Sequence, residues 1–479
     1  MAIANVQKEW NNALLVAARR LDAKSLKAAL DAGADVNVKS ERFYRRGDTA
    51  ISYVLVREAK DLRAPDGYNE CARLLIKAGA DMKDMKSRGM PLLHYAAQMA
   101  APDVVQMMLE AGLDVNAKVD ECPKNGRSGC TPLFFAARRS DAAVAELLIS
   151  RGADVQAVSV KGETPLFWAS DAVAPLLLKV GLDVHATNAR GETPLFHVLN
   201  RGQCRAASLL IEAGADVNVA NVDGETPMFA ACEFADCIKL LLEAGAKADA
   251  VSAFGGTPLY LSCWYGADFE CIRLLVTAGA DVHGSELIHG AVYHRLLHHV
   301  RYLVEQGADV NLRSPDGGTP LGLAIVRNAP ELVEYLLSAG ARLDDCFNNL
   351  DGESFTTLRA AARFGSIGLV RYLVDRGVNV SAVDEQGRTP LHCVKLKKEI
   401  AQFLIQECGL DVQARDAQGA TPLMYAACES DATCLRYLVE QGADAHSTLQ
   451  DGRSALSLAT QHGNHEAMQF LLQAGCKCT

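Results

Sequence analysis

The residues most able to bind a metal ion lie at the carboxyl end of the chain. His462 and His465 are followed by Cys476 and Cys478, and imidazole nitrogens and thiolates are the ligands that zinc prefers in proteins. However, an H-x2-H pair followed by a separate C-x-C pair is not an ordinary zinc-finger spacing. We therefore predict no metal site, and the sequence contains no motif for a cofactor.

The last four residues could instead carry a lipid. Cys476-Lys477-Cys478-Thr479 has the outline of a prenylation box, but a lysine occupies a position that is aliphatic in such boxes. Cys476 also falls on an alanine position of the internal repeat described below. A structural role is predicted for this cysteine, and modification of Cys476 or Cys478 remains the alternative.

Catalytic constellations are missing from the sequence. The densest group of titratable residues is the set His289, His294, His298 and His299, which we interpret as solvated helix-face or turn positions. No phosphate-binding G-x-x-x-x-G-K, no G-x-S-x-G elbow, no H-E-x-x-H pair and no kinase signature occurs. We predict that the protein is not an enzyme.

Composition indicates a folded, acidic protein. The 479 residues are 49% hydrophobic and 22% charged, with a formal net charge of -10, so nucleic acid is not expected as a partner. The longest apolar runs are too short to span a bilayer, and the amino terminus has no signal-peptide core. Several of the fifteen cysteines lie in apolar segments, which favours a reducing compartment. The predicted location is cytoplasmic, with association to the cytoskeleton as an alternative.

One phrase recurs along the chain at intervals of about thirty residues. GETPLF occupies 162–167 and again 191–196, and GETPMF occupies 224–229. Such a period is typical of stacked supersecondary units.

A representative unit runs from Thr131 to Val155. Thr131 can cap a helix whose first residue is Pro132, and a second apolar stripe follows at three- and four-residue spacing in Val144, Leu147 and Leu148. Gly152 should end that helix in the left-handed conformation. The pattern of each unit therefore predicts a helix, a turn, a second helix and a hairpin, in that order.

This pattern resembles the ankyrin repeat, whose signature combines T-P-L-H-x-A-A with G-A-D-V-N. Matching first-helix caps begin at twelve places: Pro91, Thr131, Thr164, Thr193, Thr226, Thr257, Ser285, Thr319, Thr356, Thr389, Thr421 and Ser454. With two looser units before them, about fourteen repeats cover nearly the whole chain. The resemblance implies an all-α repeat solenoid of helix-turn-helix and hairpin units, stacked into a curved, elongated array. We expect one array over 1–479, with looser units in 5–90, regular units in 91–453 and a capping unit in 454–479.

Several repeats and links depart from the regular length. The fifth unit has lost about one helical turn and contains Pro175, and the hairpin between Gly279 and Ser285 is missing. Insertions lengthen the links at 39–48, 59–70 and 117–130. The first contains Arg42, Arg45 and Arg46, which could form a basic contact point, although solvated loops are the favoured interpretation.

A partner-binding surface is predicted from the two positions that follow A-A in each unit. In the ankyrin pattern these positions face the concave groove. The predicted contact residues are Phe234, Trp264, Tyr265 and Tyr293, with Phe254 on the adjacent hairpin. A contiguous aromatic patch is typical of an interaction site. The alternative is that the rings fold back and cover a thinned core.

The same positions nearer the amino terminus hold Arg138, Arg139 and Arg201. The expected partner segment is therefore apolar at one end and acidic at the other. We predict a noncatalytic protein-interaction scaffold or adaptor, acting as a monomer or as a subunit of a hetero-complex. The alternatives are a structural component of a cytoskeletal or ciliary assembly and a substrate-recruiting subunit of a ubiquitin ligase.

Overall fold

The computed structural model describes residues 2–40, 47–56, 66–83, 85–87, 89–120, 126–284, 286–349, 352–393, 396–428 and 432–476. The chain forms two compact units, Met1–Pro258 and Leu259–Thr479. Several residues considered above lie outside the described ranges, namely Arg42, Arg45, Arg46, Ser285 and Cys478. The interpretations that depend on them stay predictions.

The first unit consists of helix pairs and one two-stranded antiparallel sheet. Its elements are α1 (Ala2–Arg20), α2 (Ala23–Asp31), α3 (Ala50–Leu55), α4 (Tyr68–Lys77), β1 (Lys86–Ser87), β2 (Met90–Pro91), α5 (Leu92–Met99), α6 (Pro102–Glu110), α7 (Pro132–Ala137), α8 (Ala143–Ser150), a 3-10 helix (Pro165–Trp168), α9 (Ala174–Lys179), α10 (Pro194–Leu199), α11 (Cys204–Glu212), α12 (Pro227–Ala230) and α13 (Ala235–Glu243). In the sheet, Lys86 pairs with Pro91.

The second unit repeats this pairing except after Thr389, where the described residues to Cys393 form no helix. Its elements are α14 (Pro258–Tyr265), which begins at the boundary residue, α15 (Phe269–Thr277), α16 (Leu287–Tyr293), α17 (Leu297–Glu305), α18 (Pro320–Val326), α19 (Pro330–Ser338), β3 (Phe347–Asn348), β4 (Ser354–Phe355), α20 (Thr357–Phe364), α21 (Ile367–Asp375), α22 (Lys398–Gln406), α23 (Pro422–Ala427), α24 (Thr433–Glu440), α25 (Ala455–Gln461) and α26 (His465–Gln473). Phe347 pairs with Phe355 in an antiparallel sheet. The predicted all-α repeat solenoid is confirmed.

The local anatomy of a unit follows the predicted pattern. Helix α7 begins at Pro132 after Thr131, and all six of its residues are buried. Helix α8 buries Val144 and Leu148, and Gly152 follows it with a φ of +85°. That backbone conformation is readily adopted only by glycine, so this residue ends the helix as predicted.

Threonine at the position that precedes the first helix of a repeat, or the corresponding turn after Thr389, has two different environments. Thr131 was expected to cap α7, but its side chain forms no capping hydrogen bond, and its buried hydroxyl has no partner among the described residues. Where histidine follows three residues later, the hydroxyl is paired, because Thr389 Oγ1 lies 2.8 Å from His392 Nδ1. The unit of Thr131 has Phe134 in that position. The same unpaired hydroxyl recurs before phenylalanine at Thr164, Thr193 and Thr226.

The shortened fifth unit is confirmed. Its first helix is a single 3-10 turn, Pro165–Trp168, and its second, α9, has six residues where α8 has eight. Pro175 lies in the first turn of α9, where its missing N–H is not needed.

The cysteines depart from expectation at one pair. A disulfide joins Cys204 to Cys237, at a Cα–Cα distance of 5.2 Å, and links the beginnings of α11 and α13. The sequence favoured a reducing compartment over a disulfide framework. No second disulfide is found among the described cysteines. Cys476 is buried, and its thiol donates to the carbonyl of Ala445.

Candidate partner-binding surface

The eight predicted contact residues divide between the two units. Phe234, Phe254, Arg138, Arg139 and Arg201 belong to the first unit, whereas Trp264, Tyr265 and Tyr293 belong to the second.

Trp264 and Tyr293 are in contact within the second unit. The ring centroids lie 5.9 Å apart, a separation typical of attractive aromatic pairs. Helices α14 and α16 can approach this closely because Gly290 lacks a side chain. A Cβ there would lie 2.9 Å from the backbone nitrogen of Trp264. A small residue in one helix thus brings two large rings together.

The members of this aromatic group differ in exposure. Tyr265 is 58% exposed, whereas Trp264 and Tyr293 are half-buried. The indole Nε1 of Trp264 is enclosed without a hydrogen-bond partner in the described part of the chain. The guanidinium carbon of Arg327 lies 4.4 Å from the centroid of Tyr293. Two half-buried rings and a cation therefore lie together, and the exposed ring of Tyr265 follows Trp264 in the same helix.

The two phenylalanines of the first unit occupy different environments. Phe254 is 85% exposed and lies in the turn before α14. Phe234 is half-buried, and its ring lies against Gly202, where a Cβ would come within 2.7 Å of the ring carbons. Phe254 is therefore available for contact, while Phe234 helps to hold adjacent repeats together.

Two of the arginines bind backbone carbonyl groups. Arg139 Nη1 donates to the carbonyl of Ala100 at 3.0 Å, and Arg201 Nη2 donates to that of Phe167 at 3.0 Å. These carbonyls lie at the carboxyl ends of first helices in preceding repeats, where no intrahelical donor remains. Similar contacts join Asn464 to Ala427 and His294 to Trp264.

Burial also lowers the pKa of two of these arginines. It lowers the pKa of Arg201 to about 10, with a further contribution from the positive charge of Arg138. Burial, followed by the charge of Arg127, lowers the pKa of Arg138, whose guanidinium carbon lies 5.6 Å from the ring centroid of Trp168. These guanidinium groups repel one another, so an added carboxylate nearby would be favoured. The expectation of an acidic partner segment stays a prediction.

The histidine cluster is not the set of solvated groups that the sequence suggested. His289 and His299 are buried, and His299 Nε2 donates to the carbonyl of Ala267 at 2.9 Å. Burial lowers the pKa of His299. His294 and His298 are exposed as expected. Sequence alone did not distinguish the buried pair from the exposed pair.

A buried ion-pair network in the second unit was missed altogether. The side chain of Arg359 is 1% exposed and lies 3.1 Å from a carboxylate oxygen of Asp384, while Glu353 binds it at 2.9 Å. Burial alone would raise the pKa of Glu353, but the hydrogen bond from Arg359 and the charge of Arg363 outweigh that effect and lower it. Arg359 occupies the histidine position of the repeat, and this substitution was the available signal. The network joins successive hairpins.

Comparisons with known proteins agree with this architecture. A family model described as ankyrin repeats in three copies matches 14–119, 170–252, 195–285, 231–314, 259–346, 344–416 and 393–479. A second family model, described as ankyrin repeats in many copies, matches 93–149.

Within the described residues, no helix is both long enough and apolar enough to cross a bilayer.

Curated relatives match over parts of their length. Ankyrin repeat protein nuc-2 of Neurospora crassa is 31% identical over 198 residues, which are 40% of this chain and 18% of that protein. Human neurogenic locus notch homolog protein 1 is 31% identical over 35% of this chain and 7% of its own length. The chicken nuclear factor NF-kappa-B p105 subunit is 32% identical over 42% of this chain and 21% of its own length. The chain thus spans about a fifth or less of these relatives.

One solved structure is similar in part. The human ASB11 ankyrin repeat domain is 28% identical and covers 45% of this chain and 97% of its own, with a TM-score of 0.40.

Proposed function

Because the chain belongs to the ankyrin-repeat family, we propose that it is a noncatalytic scaffold or adaptor that binds protein partners. Binding would involve the ends of the first helices and the hairpins between repeats. The observation that carries the proposal is the exposure of two large aromatic side chains at such places. Phe254 is 85% exposed on a hairpin, and Tyr265 is 58% exposed at the end of α14.

Exposed aromatic rings at variable positions support an interaction role. Tyrosine and tryptophan are the residues most often found to dominate the energy of interfaces. Tyr265 follows the half-buried Trp264 directly at the end of α14, and we propose that one partner contacts both rings. The acidic preference proposed for the first unit rests on Arg138 and Arg201.

We also infer a single array over 1–479 and a cytoplasmic location. Support for that location comes from the many described cysteines that form no disulfide bond, most of which are buried. The disulfide between Cys204 and Cys237 argues in the opposite direction, because such bonds are rare in reducing compartments.

The experiment is a comparative affinity purification from the native source. The wild-type chain, the Trp264→Ala/Tyr265→Ala double variant and a Phe269→Ala/Tyr302→Ala control would be used as baits. The control removes an aromatic pair at 5.3 Å on the second helices and leaves the proposed surface intact. Captured proteins would be identified by mass spectrometry, and the affinity of each recombinant partner would then be measured.

We expect the double variant to bind a discrete partner about thirtyfold or more weaker, which corresponds to about 2 kcal/mol. The single variant Tyr265→Ala should retain the wild-type melting temperature, because this ring is mostly exposed. Equal affinities for all three baits would contradict the proposed surface. Recovery only with an insoluble filament would favour a structural component of an assembly, and substrate turnover by the isolated chain would contradict the noncatalytic role.

A further inference from the structure

A small cavity in the second unit lies beside the predicted aromatic group. Its volume is about 60 Å³. One water requires roughly 10–15 Å³ on the same measure, and an apolar cavity of about 150 Å³ holds benzene. The cavity therefore has room for the end of one side chain and is too small for an organic cofactor.

The cavity lies where the link between α15 and α16 is short. That link comprises residues 278–286, whereas the next link of this kind, between α17 and α18, comprises 306–319. The longer link supplies a hairpin whose residues Ser314, Asp316 and Gly318 line the cavity on one side. The shorter link contributes Glu286 to the lining.

Glycine at the histidine position of the next repeat shapes the wall. A Cβ at Gly322 would collide with the ring of Phe347, so the absence of a side chain there admits that ring. Phe347 is 3% exposed and forms an apolar wall of the cavity with Trp264, Leu323 and Val326.

The polar part of the lining combines two acidic residues with His289, Ser314, Thr319, Asn348 and Asn349. Glu286 and Asp316 both line the cavity, and the described lining includes no lysine or arginine. The carboxylate of Glu286 accepts a hydrogen bond from Tyr260. Burial, followed by this carboxylate, raises the pKa of that phenol to about 12. An occupant that covered Glu286 with an apolar group would remove water from this charge and leave the phenol of Tyr260 as its remaining compensation, which is costly.

We propose that this cavity binds the side chain of a lysine or arginine from a partner peptide. The apolar walls would contact the methylene stem, and the cationic end would lie near Glu286 and Asp316. A cation beside an indole ring is also favoured by the ring quadrupole. This inference rests on the proposed binding function and names the chemistry that the second unit recognises, in contrast to the acidic segment expected at the arginines of the first unit.

The test uses fluorine NMR on the full chain labelled with 5-fluorotryptophan. The protein contains three tryptophans, so three signals are expected. The Trp264→Phe variant identifies the reporter by removing its signal, and Trp10 and Trp168 in the first unit serve as internal references. The probes are the pentapeptide acetyl-Ala-Ala-Lys-Ala-Ala-amide and its arginine, norleucine and glutamate versions.

The lysine and arginine peptides should shift the Trp264 signal, with saturation in the millimolar range expected for ligands of this size. We expect norleucine, which has a similar stem without the charge, to bind at least fivefold weaker, and glutamate to cause no shift. Glu286→Gln should weaken lysine-peptide binding about five- to tenfold and leave norleucine binding unchanged. Glu334→Gln, which alters an exposed carboxylate on α19, is the matched control and should have no effect.

A second measurement on the wild-type protein does not depend on the folding of any variant. Binding of the lysine peptide should weaken as sodium chloride rises from about 0.05 M to about 0.5 M, because salt screens exposed charges, whereas norleucine binding should not. Equal affinity for lysine and norleucine, preference for glutamate, or no shift with any peptide would each overturn the proposal. If Tyr265→Ala lost partner binding while the peptides gave any of these results, the interaction function would stand. Only the site for a basic side chain would then be rejected.

Discussion

Replacing Gly290 by alanine tests the close approach on which the aromatic group depends. Gly290 lies within α16, and an added Cβ would come within 2.9 Å of the carbonyl carbon of Cys263 and the nitrogen of Trp264. Both are backbone atoms of α14, so neither can rotate away. Overpacking of this kind costs about 1–3 kcal/mol, partly offset by a gain of about 0.5–1 kcal/mol from replacing glycine inside a helix.

Gly368 provides the matched control. It lies in the first turn of α21 in the same unit, and an added Cβ would meet only the side chain of Ser366, at 3.8 Å. The Gly368→Ala variant should therefore gain up to about 1 kcal/mol. Because the propensity gain is similar in both variants, the difference between them measures the packing cost, which we expect to be about 1–3 kcal/mol.

Urea unfolding followed by far-ultraviolet circular dichroism would measure this difference for the two variants and the wild type. The Trp264 signal of the fluorotryptophan-labelled protein should also move in Gly290→Ala and remain in place in Gly368→Ala. If Gly290→Ala were as stable as Gly368→Ala, the contact between α14 and α16 would have to be looser than the structure indicates.

Three further predictions concern stability. Thr131→Val should change the unfolding free energy by less than about 0.5 kcal/mol, because this hydroxyl has no partner among the described residues. Thr389→Val should lower the unfolding free energy by about 1 kcal/mol, because its hydroxyl bonds to a histidine. Equal losses in urea unfolding of the two variants would contradict this account. Burial lowers the pKa of His94 to about 4 from an ordinary 6.5. The unfolded chain therefore binds a proton there that the native state does not, and about 3 kcal/mol of stability should be lost as the pH falls from 6.5 to 4. Melts across this range should show a shallower decline for His94→Phe, and an unchanged decline would show that this histidine is not the cause. The disulfide closes a loop with a sequence separation of 33, so Cys204→Ala should lower the unfolding free energy by about 3–4 kcal/mol. A reductant should lower the melting temperature of the wild type but not of this variant. A wild-type melting temperature that does not change with reductant would argue against the bond.

The repeat architecture could be predicted from sequence because its signals are local. Thr-Pro at the start of many first helices and glycine after the second helices, as at Gly152, set backbone conformation within a few residues. The apolar spacing between them identifies the buried face. These signals recur about every thirty residues, so an error in one unit did not affect the assignment of the others.

The tertiary structure decided which variable positions remain available to a partner. Arg139 lies in the same kind of position as Tyr265, yet its guanidinium binds the carbonyl of Ala100, 39 residues away, while the tyrosine ring is 58% exposed. A long side chain can turn toward the neighbouring repeat or away from it, and the choice depends on whether an unpaired carbonyl lies within reach. The pairing of Cys204 with Cys237 and the burial of Arg359 beside Asp384 likewise depend on how successive repeats stack. Spacing along the chain does not specify the distance between side chains of successive repeats.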